Sequence, residues 1–276
     1  MRLAPLLLFI LLVAATPAVA AESGVIRELY VAPTISYFQW EEHEAGSRLL
    51  REQGPVYGLA GGIRLELLRA ASGQALILSG VTELYGGVVS YDGQTQSVTP
   101  NKDKRPFTTD VGYVGGRGGI DLGWTIPLRT SRFGPLVGLE YRAWMRDLQG
   151  GSALDSNGVP FQVSGSTEFW QNVTLRLGLR WNEIPLGGGW SAFGEGGAVY
   201  PFYTSNQVDV PDYGTLTITP EGEWSPRGEL GVRNKSFRFA VTYEGLRFGR
   251  SPTVKGYYQP DSSGDLVVFS VGYCFR

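Results

Sequence analysis

Leu266-Val267-Val268-Phe269-Ser270-Val271-Gly272-Tyr273-Cys274-Phe275, with Arg276 behind it, alternates with a period of two. Val267, Phe269, Val271, Tyr273 and Phe275 form one bulky apolar face, while Val268, Ser270, Gly272 and Cys274 form a smaller and more polar one. That period is the signature of a β-strand, whose successive side chains point to opposite faces of a sheet. A large apolar face backed by small residues suits a strand with lipid on one side and a crowded barrel lumen on the other.

The same dyad pattern recurs upstream. Val173, Leu175, Leu177, Leu179 and Trp181 alternate with Asn172, Thr174, Arg176, Gly178 and Arg180. Val137, Leu139, Tyr141, Ala143 and Met145 alternate with Gly138, Glu140, Arg142, Trp144 and Arg146, and Phe237, Phe239, Val241 and Tyr243 with Arg238, Ala240, Thr242 and Glu244. In all, the chain reads as ten strands, at 29–42, 55–68, 74–91, 107–128, 133–147, 167–181, 189–203, 220–232, 236–248 and 265–275. The even connections are short. The odd ones (43–54, 92–106, 148–166, 204–219 and 249–264) are long, polar and rich in turn residues such as Asp92-Gly93, Asn157-Gly158 and Pro260-Asp261. Regular alternation of short and long connections predicts an all-β fold, a single up-and-down antiparallel transmembrane barrel with short periplasmic turns and long extracellular loops.

Alternation alone does not say which face is inside. Glycines gather on the polar faces (Gly58, Gly62, Gly115, Gly119, Gly123, Gly231, Gly272), as a narrow interior requires. The bulky Leu, Trp and Phe residues are too large to fill a ten-strand interior from every side, which places the polar faces inward. The expected inward charges are Arg64, Glu66, Glu83, Arg117, Asp121, Glu140, Arg142, Arg146, Arg176, Arg180, Glu195, Arg227, Glu229, Arg238 and Glu244. Eight arginines face seven carboxylates, so cross-strand pairing into a charged plug is expected rather than an open pore. Two aromatic belts are expected outside: Trp124, Phe133, Trp181, Trp190, Phe237 and Phe275 toward the short turns, and Tyr57, Tyr113, Phe169, Phe202 and Trp224 toward the long loops.

The N-terminus supplies an export address. Met1-Arg2, the apolar run Leu6–Val13 and Ala18-Val19-Ala20 fit a cleaved secretory signal peptide over residues 1–20, with the barrel domain over 21–276. The net charge of −2 gives no basic footprint for nucleic acid. One cysteine (Cys274) and one histidine (His43) provide neither a disulfide framework nor a transition-metal ligand set, and no cofactor is expected.

The Val267–Phe275 pattern resembles the closing strand of bacterial outer-membrane barrels, which ends in an aromatic residue read by the assembly machinery; here Arg276 follows the aromatic. That resemblance implies the outer membrane as location, with its lipids and assembly machinery as partners. Ten strands and five external loops are similar, at the level of topology, to the omptin outer-membrane proteases. Omptins use a His-Asp pair in an external loop, facing two acidic residues across the barrel mouth. Here His43 lies in the first long connection, and the seventh holds Asp209 and Asp212 without a histidine, so the pair does not transfer. The expectation is a non-enzymatic barrel whose loops contact envelope components or surfaces, with a small ion or solute channel and an omptin-like hydrolase as alternatives.

Overall fold

The computed structural model describes residues 25–95, 104–155, 157–210 and 214–275. The signal-peptide segment and Asp212 lie outside them. Fourteen strands follow in order: β1 (Val25–Glu44), β2 (Ser47–Arg69), β3 (Ala75–Gln94), β4 (Pro106–Leu128), β5 (Ser131–Leu148), β6 (Gly151–Leu154), β7 (Pro160–Val163), β8 (Ser166–Gly187), β9 (Trp190–Val210), β10 (Gly214–Ile218), β11 (Glu221–Gly222), β12 (Ser225–Arg233), β13 (Phe237–Gly249) and β14 (Asp261–Cys274). Ten of them make the wall. Each pairs antiparallel with its neighbour in the order β1-β2-β3-β4-β5-β8-β9-β12-β13-β14, and β14 returns to β1 to close the ring. Closure removes the free sheet edges that a bilayer does not tolerate. Of the remaining four strands, β6 and β7 form a small separate hairpin, β10 extends β9, and β11 caps β13.

The faces are those the glycines and bulky residues pointed to. Leu177, Leu179 and Trp181 are exposed on the outside of β8, as are Phe269, Val271, Tyr273 and Phe275 on β14 and Phe237, Phe239 and Val241 on β13. Tyrosines mark the upper limit of this apolar band. Tyr37, Tyr57, Tyr203 and Tyr243 are exposed, and Tyr37 and Tyr243 flank Val267 in register. Tyr243 donates its hydroxyl to Asp265 at 2.6 Å, and Tyr141 donates to Gln171 at 2.9 Å. Beyond this belt the outer surface turns polar, with Arg51 bonded to Glu41 and Arg247 to Asp265. At the opposite rim, where the short turns lie, Phe133 packs on Trp181 and Tyr273 on Phe275. An apolar band between two aromatic girdles is the surface a bilayer selects.

Two expectations need correcting. The first connection is not a long loop over 43–54. It is the two-residue turn Ala45-Gly46, and β1 and β2 run to it as a continuous hairpin. Both turn residues have positive φ, at 50° and 79°, as a type I′ hairpin turn demands. Tyr113 is not in the outer belt either. It points inward, 7% exposed, because Val114 beside it takes the lipid-facing register.

Candidate functional site: the filled lumen

The interior is packed in layers along the barrel axis, and strand register fixes which side chain enters which layer. Nearest the short turns, Glu28 lies 3.1 Å from Arg64, also pairs with Arg233, and is 3.5 Å from Arg238. Arg238 grips Glu229 at 2.6 Å while its guanidinium lies over the Tyr30 and Phe193 rings. Arg64 reaches across to Asn182 on β8 at 3.0 Å. Of the predicted inward charges, Glu66 is the one at the rim itself, held by Arg69 at 2.5 Å and Arg27 at 3.0 Å.

The middle layer holds two interlocked groups. Arg180 bonds Glu195 at 2.7 Å and Asp121 at 3.1 Å, while Arg176 bonds Glu195 at 2.8 Å and approaches Asp121 at 3.1 Å. Above them Arg117 bonds Glu83 at 2.8 Å and Glu244 at 2.9 Å, and Arg142 bonds Glu140 at 2.8 Å. Arg142 and Arg227 also converge on Glu244. β4 and β13 stand five places apart in a ring of ten, so the Arg117–Glu244 pair spans the full diameter. Each of the fifteen charges named from the sequence has an oppositely charged partner. Gly115 is required here, because a Cβ would sit 2.7 Å from both the Ala143 carbonyl and the Trp144 side chain.

Above the charges lies an aromatic layer, of which alternation had placed only Trp144 on an inward face. Trp144, between Arg142 and Arg146 on β5, stacks on Trp170 with centroids 5.4 Å apart. Trp40 meets Trp170 edge-on at 5.4 Å, and this contact also joins strands on opposite walls. Phe38, Tyr113 and Phe248 complete the packing. A cavity of about 40 Å³ remains between Phe38, Trp40, Tyr85 and Trp144 above and Arg117 and Arg142 below. It has room for a few water molecules, each needing roughly 10–15 Å³.

A third polar layer closes the loop end. Arg146 bonds Glu52 and, at 2.5 Å, Glu168. Tyr113 donates to Glu52, which is wholly buried, and Trp170 donates to Glu168 at 2.9 Å. Glu28, Glu42, Glu52, Glu168 and Arg233 are therefore inward charges that the sequence reading missed. Glu52 keeps the even-numbered register of Val56, Gly58, Gly62 and Arg64, so extending the second strand by three residues would have found it.

His43 lies 3.7 Å from Glu41, a carboxylate that also receives Arg51. Asp209 accepts from Thr215 at 2.6 Å in the β9–β10 hairpin. These side chains sit apart, each in its own local contacts. No group of acidic, histidine or cysteine side chains suited to a metal occurs among the described residues.

No protein-family model and no curated protein matches the chain. Solved structures do. The outer-membrane protease OmpT from Escherichia coli superposes with a TM-score of 0.52 at 12% identity, over 92% of this chain and 98% of that one. The transport unit of the autotransporter AIDA-I from Escherichia coli gives 0.51 at 10% identity, over 90% and 91%. At such identities the likeness is one of fold. Ten strands closed on themselves, with an apolar exterior and a polar interior, make this chain a transmembrane β-barrel of the bacterial outer-membrane type, with omptin-like architecture.

Proposed function

We propose that this chain is a non-enzymatic integral protein of the bacterial outer membrane, exported by a cleaved signal peptide, whose lumen is shut by its own charged side chains and whose loop rim contacts envelope components or external surfaces. The observation that carries this reading is the set of diameter-spanning contacts, Arg117–Glu244 and Trp40–Trp170, stacked in successive layers. A column blocked by paired guanidinium and carboxylate groups, and again by indole rings, leaves no continuous water path for a hydrated solute. In this reading the short turns and both chain ends face the periplasm. The chain is inserted by the outer-membrane assembly machinery through Val267, Phe269, Val271, Tyr273 and Phe275, and its apolar band is solvated by outer-membrane lipid.

The hydrolase alternative is the weaker reading, because His43 on β1 and Asp209 on β9 stand on non-neighbouring strands, each in its own local contacts. Reconstituted vesicles test the proposal. Those carrying the protein are expected to swell in small sugars no faster than protein-free vesicles, and the cellular protein to fractionate with outer membranes and migrate faster unboiled than boiled. Rapid swelling would support the channel instead. Peptide cleavage abolished by His43→Ala would support the hydrolase.

A further inference from the structure

The two rims of the barrel differ in charge. Outside the lumen, the short-turn rim carries Arg27, Arg69, Arg129, Arg132 and Lys235, against Glu66 and Glu183 alone among the described residues. Arg27 and Arg69 share the single Glu66 carboxylate, and Arg132 lies 3.2 Å from Glu183. Arg129 and Lys235 are exposed and have no acidic partner among the described residues. At the loop rim, by contrast, Arg51 has Glu41, Arg247 has Asp265, Arg48 has Asp92 at 3.3 Å and Lys104 has Glu44 at 3.4 Å.

Position matters as much as sign. Ile26, Leu68, Leu128 and Phe237 are exposed members of the apolar band. Arg27 directly follows Ile26, Arg69 follows Leu68, Arg129 follows Leu128, and Lys235 stands two places before Phe237. Arg132 adjoins Phe133, which packs on Trp181 in the girdle. These charges therefore begin where the hydrocarbon ends, at the depth of lipid headgroups. Their long stems let the charged ends reach that interface from an apolar belt. Arginine offers phosphate oxygens a planar fork of donors, and lysine offers a compact cation.

We infer that the short-turn rim is a docking surface for the headgroups of anionic phospholipids, with Arg129 and Lys235 as its unpaired cations. An acidic partner arriving from the water would meet charges at the turn tips, whereas Arg27, Arg69 and Arg132 lie on strand ends beside the apolar band. That this rim meets the periplasmic leaflet rests on the proposed orientation. The preference for anionic headgroups does not, so it is tested separately from cellular location and from conduction.

Electron spin resonance on the folded barrel in phosphatidylcholine vesicles supplies the test, with a trace of spin-labelled phosphatidylglycerol or of spin-labelled phosphatidylcholine. The anionic lipid is expected to associate with the protein about fivefold more strongly, the factor that one basic group near an anionic surface supplies. Arg129→Gln combined with Lys235→Gln should remove most of that preference, and so should about 1 M salt, which shortens the screening length to about 3 Å. Arg48→Gln combined with Lys104→Gln, at the other rim, should leave the preference unchanged. The unboiled gel shift confirms that each variant is folded. Equal association of the two lipids with the unmutated protein would overturn the inference and leave the rim to a soluble acidic partner. A preference that survives in the Arg129 and Lys235 double variant, or that falls equally in the loop-rim variant, would overturn it as well.

Discussion

Glu244 receives three arginines, Arg117, Arg142 and Arg227, which come from β4, β5 and β12, while it stands on β13. Ion pairs of this kind fill space and fix neighbours. They add little net stability over an apolar core of equal volume, because desolvation offsets most of their attraction. Removing one partner is different, since it strands the other without water. Arg142→Ala should therefore destabilise the barrel by about 3–5 kcal/mol, by depriving Glu140 and Glu244 of a shared donor. Lys104→Ala, which removes an exposed pair with Glu44, should cost no more than about 1 kcal/mol. Urea unfolding followed by the unboiled gel shift measures both, and equal losses would mean that the lumen pairs are as solvated as the surface one. Gly115→Val tests crowding separately. With 2.7 Å to two neighbours at the Cβ alone, it should lose about 1–3 kcal/mol or fail to assemble.

At the scale of the strand, outward and inward positions should respond oppositely to charge. Leu177 is lipid-facing at the middle of β8, so Leu177→Arg should cost roughly 2–4 kcal/mol. A bilayer-confined label should react with cysteine at Leu177 and not at Gly178. The reverse labelling pattern would invert the faces.

How much of each strand was readable follows from the solvent on its two sides. Across the bilayer, β8, β13 and β14 alternate apolar-out and polar-in, and their sequences state this directly. Beyond the tyrosine belt both faces of a strand meet polar surroundings. His43, Glu44, Arg48, Arg51 and Glu52 then read as a loop, although with Glu41 and Glu42 they form one continuous hairpin. Its turn is hard to recognise for a local reason: Ala45 occupies a positive-φ position that usually carries Asn, Asp or Gly. The charged lumen positions were found wherever a glycine or a lipid-facing neighbour fixed the register. The aromatic layer was not, apart from Trp144 on the polar face of its strand, because Phe38, Trp40 and Trp170 look from sequence like any strand aromatics.

At the scale of the whole molecule, ten strands enclose an interior that side chains can nearly fill, and here charged and aromatic layers do so in turn. The double variant Arg142→Ala with Arg176→Ala removes donors from Glu140, Glu244, Asp121 and Glu195 together. It should lose heat resistance before it gains any permeability, and a leak that does appear should prefer cations, because the orphaned groups are carboxylates. Unfolding and ion flux measured on one preparation of vesicles give that order; a leak at full heat resistance would mean that these arginines seal the pore without supporting it. The most direct test of the closed lumen is single-channel recording of the unmutated protein in planar bilayers. A membrane with inserted protein should show no steady current above the bare bilayer, and a persistent, ohmic open-pore conductance would contradict the plugged barrel.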